Sequence, residues 1–77
     1  MGNDDRLRWR CRRGLLELDL ILQRFLERRF ERLNAEEKAV FGELLDSPDP
    51  ELLDWALGRS DPADPRYQSV VRLLRAG

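Results

Sequence analysis

Residues 15–33 read LLELDLILQRFLERRFERL, and the spacing within this stretch decides the fold. On a wheel of roughly 100° per residue, Leu15, Leu18, Ile21, Leu22, Phe25, Leu26, Phe30 and Leu33 fall in one broad stripe. That is the pattern of a helix burying one face against a core, and it predicts a helix over about residues 15–32. Arg13, Glu17 and Leu20 fall on the opposite side, with Leu16 at the margin. An arginine and a carboxylate one turn apart, beside two leucines with no core to fill, read as a surface for another protein.

Outward from this helix the punctuation is helical throughout. Asp4 and Asp5 suit the start of a short first helix reaching about Arg12, because acids near an N-terminus complement the helix dipole. Gly14 then permits a bend into the long helix. Asn34, with Glu37 three residues later, is a capping-box variant that opens a third helix through Phe41, Leu44 and Leu45. Gly42 inside that helix costs it stability, which implies a neighbour packed closely there. Asp49-Pro50 reads as N-cap and first helical residue, for a helix through Leu52, Leu53, Trp55 and Leu57 that Gly58 closes. Asp64-Pro65 repeats the signal after an Asp61-Pro62-Ala63 loop, and Tyr67, Val70, Val71 and Leu74 give a fifth stripe. Neither strand alternation nor an internal repeat is present. The expected fold is all-α, a small single-domain bundle of about five helices over residues 1–77.

Composition limits what such a bundle does. At 77 residues, a chain buries only about 60% of the surface its unfolded form exposes, so the apolar stripes are needed for the core. Charged residues make up 38% of the chain with a formal net charge of −1, which argues against nucleic acid as a partner. The charge is uneven: residues 1–33 carry nine positive and six negative side chains, residues 34–77 five and nine. One cysteine forms no internal disulfide. No stretch approaches the roughly 18 apolar residues of a membrane span, and Met1-Gly2-Asn3-Asp4-Asp5 lacks the basic and apolar regions of a signal peptide. The expectation is a bacterial cytoplasmic protein, monomeric when free, that does not insert into a membrane.

The chemistry is defined by what is missing. The chain has no histidine, so neither Cys11 nor Ser47, Ser60 and Ser69 has an imidazole base, and no Cys/His metal cluster can be assembled. No glycine-rich phosphate loop is present, and the Glu36-Glu37 pair sits at a helix start where capping accounts for it. The chain therefore reads as a binding module with no catalytic residue, no metal and no cofactor of its own, rather than as an enzyme.

The segment Trp9-Arg10-Cys11-Arg12-Arg13-Gly14-Leu15-Leu16-Glu17-Leu18-Asp19 resembles the signature of the small succinate dehydrogenase assembly factors, the flavinylation factors, whose hallmark is R-G-x-x-E. The resemblance continues through Glu36-Glu37-Lys38, Phe41, Leu44-Leu45, Asp49-Pro50-Glu51-Leu52 and Trp55 to Pro62-Ala63-Asp64 and Val71-Arg72-Leu73-Leu74, covering roughly residues 9–75. It implies a five-helix bundle that binds the flavoprotein subunit of succinate dehydrogenase, and of fumarate reductase in some bacteria. Such a bundle promotes covalent attachment of FAD, held by that subunit, to a histidine of the subunit. Arg13, Gly14 and Glu17 then lie at the partner contact. The same bacterial family has also been described as the antitoxin of a membrane toxin. One departure is that the chain stops at Gly77, without the polar tail some members carry.

The residues around the motif admit more than one reading. Arg13 offers a planar fork suited to a carboxylate or phosphate; with Glu17 it makes either an exposed intrahelical pair or, as the resemblance favours, a partner anchor. Leu16 and Leu20 supply apolar area beside those charges, as at an interface centre. Gly14 serves either a bend or the close approach of a partner backbone, and close approach is the reading preferred here. Trp9 suits core and interface alike. Asp19 lies inside the apolar stripe, where a bare carboxylate is costly; it either caps a neighbouring segment or pairs with Arg29. Cys11 reads as a buried filler, Trp55, Phe25, Phe30, Phe41 and Tyr67 as core, and Arg28, Arg29 and Arg32 as a solvated face. With Arg13 and Glu17 both off the core stripe, alanine at either is expected to shift stability by no more than about 0.5 kcal/mol. A second class of function is a helical adaptor or antitoxin whose Arg-rich start contacts nucleic acid or a membrane surface; steep salt sensitivity would mark it.

Overall fold

Five helices joined by short turns make up the computed structural model, which describes residues 3–76: α1 Asn3–Arg10, α2 Leu16–Arg28, α3 Ala35–Leu44, α4 Asp49–Leu57 and α5 Pro65–Ala76, with a 3-10 turn Phe30–Arg32 between α2 and α3. Met1, Gly2, Gly77 and the side chains of Asn3 and Asp4 lie outside the description, and with them the reading of Asp4 as a helix-starting acid. No strand occurs among the described residues.

The core forms where the stripes meet. Leu18, Leu22, Phe25 and Leu26 of α2 are buried, with Val40, Phe41 and Leu44 of α3 and Val70, Val71 and Leu74 of α5. Phe25 and Phe30 both lie against Phe41, at ring-centroid distances of 4.9 and 6.0 Å. Such tilted pairs add roughly 0.5–1.5 kcal/mol each beyond the area they bury. Trp55 and Tyr67 meet edge to face at 6.3 Å and are only partly buried, at the margin of the core.

Most of the local signals act as their chemistry dictates. Asn34 Oδ1 accepts from the Glu37 N–H at 2.8 Å while Glu37 Oε1 accepts from the Asn34 N–H at 2.9 Å, a complete capping box. Gly58 ends α4 at φ +79°, where an L side chain would be strained. Asp64 Oδ1 accepts from the Arg66 N–H at 2.9 Å at the start of α5. A Cβ on Gly42 would stand 3.3 Å from Leu7 Cδ2, so α1 packs directly on α3 there.

Four boundaries differ from the expectation. The first helix ends at Arg10 rather than Arg12, and α2 begins at Leu16. Leu15 is therefore an extended N-cap residue, 41% exposed, and not part of the core stripe. At its far end α2 stops at Arg28 and the chain tightens into the 3-10 turn, a common way for a helix to finish. Pro48, not Asp49, occupies the N-cap of α4, with φ −59° and ψ 145°. That shift places Asp49 inside the first turn and frees its side chain.

Candidate partner-binding site at the bend between the first two helices

Residues 11–15 turn the chain from α1 into α2. The Cys11 and Arg12 N–H groups donate to the Arg8 and Trp9 carbonyls at 3.3 and 3.1 Å, winding α1 to its close. Gly14 then takes φ +86°, a left-handed conformation that cannot continue a right-handed helix. An added Cβ at Gly14 would meet nothing within 4 Å, so backbone conformation alone is enough to require glycine. The preferred reading at the sequence level, close approach, is not needed to explain it.

Asp19, in the first turn of α2, holds this bend in place. Its Oδ1 accepts from the Arg13 N–H at 2.8 Å and its Oδ2 from the Gly14 N–H at 3.3 Å. The capping alternative is the one realised, toward the preceding segment; the pair with Arg29 does not form. A carboxylate that the stripe leaves half-buried is thus hydrogen-bonded, and it sits at a helix N-terminus that favours negative charge.

Arg13 departs most from its sequence reading. It precedes α2 rather than lying on it, so the wheel that set it opposite the core does not apply. Its Nε donates to Asp49 Oδ1 at 2.7 Å, its Nη1 to the Leu45 and Arg10 carbonyls at 2.7 and 3.2 Å, and its Nη2 to the Ser47 carbonyl at 3.1 Å. The side chain is 16% exposed. The intrahelical pair with Glu17 is absent because Arg13 points away, into the turn between α3 and α4. Arg10, three residues earlier, reaches the same turn: it donates to the Gly42 carbonyl at 3.0 Å and pairs with Asp46. Sequence reasoning missed Arg10, Asp46 and Asp49. Pro48 was the available signal for Asp49, since its fixed φ suits an extended N-cap and moves the helix start by one residue.

The residues left outward are the apolar ones. Trp9 is 71% exposed, Leu16 76% and Leu20 53%. Four of the five large apolar side chains exposed among the described residues lie at positions 9, 15, 16 and 20, and the fifth is Leu57. Glu17 is exposed and makes no ion pair among the described residues. Arg12 lies over the Trp9 ring with its guanidinium carbon 5.8 Å from the centroid. Exposed apolar side chains in the two helices that flank the bend, with Glu17 on α2 and Arg12 over Trp9, have the residue make-up of an interface centre.

Cys11, beneath the bend, is 4% exposed. Burial pushes its thiol up to about 12, against the opposing pull of Arg13, Arg10 and Arg8. It stays a neutral filler without nucleophilic character near neutral pH. No cluster of three or more metal-ligating side chains occurs among the described residues, and no described helix is long and apolar enough to cross a membrane.

Residues 5–77 match the family described as flavinator of succinate dehydrogenase. The FAD assembly factor SdhE of Coxiella burnetii is 46% identical over 70 residues, covering 91% of this chain and 85% of its own. That of Shewanella oneidensis is 41% identical over 73 residues, covering 95% and 89%. That of Pectobacterium atrosepticum is 36% identical over 75 residues, covering 97% and 85%. With a match that takes in the bend, the capping box and all but the first two residues of α1, this chain belongs to the flavinators of succinate dehydrogenase.

Proposed function

We propose that this chain is a FAD assembly factor that binds the flavoprotein subunit of succinate dehydrogenase and promotes covalent attachment of FAD to a histidine of that subunit. The observation that carries the reading is the exposure of Trp9, Leu16 and Leu20 beside the charged Arg12 and Glu17 on either side of the bend, in a chain of the flavinator family. Leu16, Leu20 and Trp9 supply the apolar contact and Glu17 the fixed charge; Gly14 and Arg13 belong to the same motif and shape the bend beneath them. The FAD stays with the partner, which also provides the histidine, since this chain has none. Its contribution is to hold the subunit in a state where the subunit's own groups react, as a non-catalytic monomer of the bacterial cytoplasm. Fumarate reductase, whose flavoprotein offers the same kind of acceptor, is a second client in this reading. The relatives' names give no support to the adaptor or antitoxin alternative.

The test is to incubate the flavin-free flavoprotein subunit with FAD, with and without this chain, and to measure the flavin that survives denaturation on the subunit. More covalent flavin in the presence of the chain supports the proposal. Equal amounts in the two reactions would overturn it.

A further inference from the structure

The bend has little apolar packing of its own: between Leu7 and Leu18 the one buried apolar side chain is Cys11. Its shape is set by hydrogen bonds, and Arg13 makes most of them. Four donations from one guanidinium tie together the end of α1 through the Arg10 carbonyl, the α3–α4 turn through the Leu45 and Ser47 carbonyls, and the start of α4 through Asp49. Three of these acceptors are neutral. Asp49 is the single carboxylate within ion-pair distance of Arg13 among the described residues. Asp19 faces the backbone of Arg13 and Gly14, and Asp46 is engaged by Arg10.

We infer that Asp49 is a positioning residue for the partner-binding face, acting through Arg13. The inference rests on the proposed assembly-factor role of that face. The connection is one continuous run of bonds. Asp49 fixes the Arg13 guanidinium, the Arg13 N–H is held by Asp19, and Asp19 stands in the first turn of α2 beside Leu16, Glu17 and Leu20. Asp49 itself lies 36 residues from Arg13, on α4, with a side chain 29% exposed. Without its charge the guanidinium keeps only carbonyl partners in a poorly solvated site. The bend then samples other paths, and binding the partner must bear the cost of reordering it. A motif arginine facing inward thus acts on the partner without touching it.

The test compares the full chain with Asp49→Ala, Arg13→Met, their double variant and Glu51→Ala. Glu51 shares the acidic first turn of α4 and makes no bond to Arg13, so it controls for the loss of a charge at that helix start. Affinity for the flavoprotein subunit is measured well below the lowest melting midpoint of the set. The expected result is binding weakened about tenfold by Asp49→Ala, within the range transmitted through packed networks. Glu51→Ala should bind as the wild type does, and the double variant no worse than Arg13→Met. In the free chain, amide exchange at Arg13 and Gly14 should quicken in Asp49→Ala but not in Glu51→Ala. If Asp49→Ala does not fold, Asp49→Asn takes its place. Unchanged affinity in the Asp49 variant, losses that multiply in the double variant, or unchanged exchange at the two amides would overturn the inference. Failure of the wild-type chain to bind the subunit at all would instead overturn the proposed function, leaving the exchange result to stand alone.

Discussion

Compare the space between α2, α3 and α5 with the bend between α1 and α2. The first is filled by Leu18, Leu22, Phe25, Phe41, Val70 and Val71, none more than 1% exposed. The second is crossed by the guanidinium of Arg13 and the carboxylates of Asp19 and Asp49, while Trp9, Leu16 and Leu20 face outward. Apolar packing is non-directional and supplies most of the stability of a domain this small. Hydrogen bonds contribute modestly in net terms, about 0.5–1.5 kcal/mol each, but they are directional and fix one backbone path. Building the bend from polar contacts leaves its leucines and tryptophan unused within the chain. The core therefore carries stability and the bend carries shape, which leaves Trp9, Leu16 and Leu20 exposed.

The most severe way to probe this division is to remove a ring from the core. Phe41→Ala deletes the side chain that both Phe25 and Phe30 pack against. Its expected cost is about 3–5 kcal/mol, a large share of the 5–15 kcal/mol typical of a whole domain. Urea denaturation followed by far-UV circular dichroism measures it. A cost below about 1.5 kcal/mol, no more than a typical hydrogen bond, would show that the core is not the main store of stability.

The bend should be softer. Arg13→Ala is expected to cost about 1.5–3 kcal/mol, the scale of charge-assisted hydrogen bonds in a shielded site, rather than the 0.5 kcal/mol or less of an exposed residue. Gly14→Ala is expected to cost about 1–2 kcal/mol, because φ +86° disfavours any L side chain even with open space around it. Gly14→Val should cost more, and Gly14→Asn less, since asparagine tolerates this region. Thermal melts of the three variants give the ranking. Equal stability of Gly14→Ala and the wild type would return close approach of a partner as the reason for the glycine.

The contrast also explains what could be read from the sequence. Periodicity reports apolar burial, so the α2 and α5 stripes and the three phenylalanines of the core were legible in advance. Caps depend on neighbours within a few residues, and the Asn34–Glu37 box and Gly58 were legible for that reason. Arg13 with Asp49 and Arg10 with Asp46 are separated by 36 positions each. No local pattern records such pairs, and extending the α2 wheel back across Gly14 assigned Arg13 to the wrong side. Leu15 was misplaced by the same extension. Leu16 and Leu20 were identified as surface because a helical wheel does report which residues the core leaves out.

The smallest effect on stability is expected where the effect on function is largest. Leu20→Ala and Glu17→Ala change exposed side chains outside the buried core, so each melting midpoint should stay within the span of a typical surface change, about 0.5 kcal/mol. Leu20→Ala exchanges exposed apolar area for a better helix former, which gives it a slight lean toward stabilisation. Each variant should nevertheless bind the flavoprotein subunit less well, through lost apolar burial at Leu20 and an unmet charge on the partner at Glu17. Salt separates the two. Added salt should narrow the difference between Glu17→Ala and the wild type by screening the charge, and leave the Leu20→Ala deficit nearly unchanged. Isothermal titration at two ionic strengths, alongside the melts, reads both the affinities and the stabilities. Wild-type affinity in both variants would move the working surface away from the bend; a melting midpoint lowered by several degrees would mean that this face is structural and that core and bend are not divided in this way.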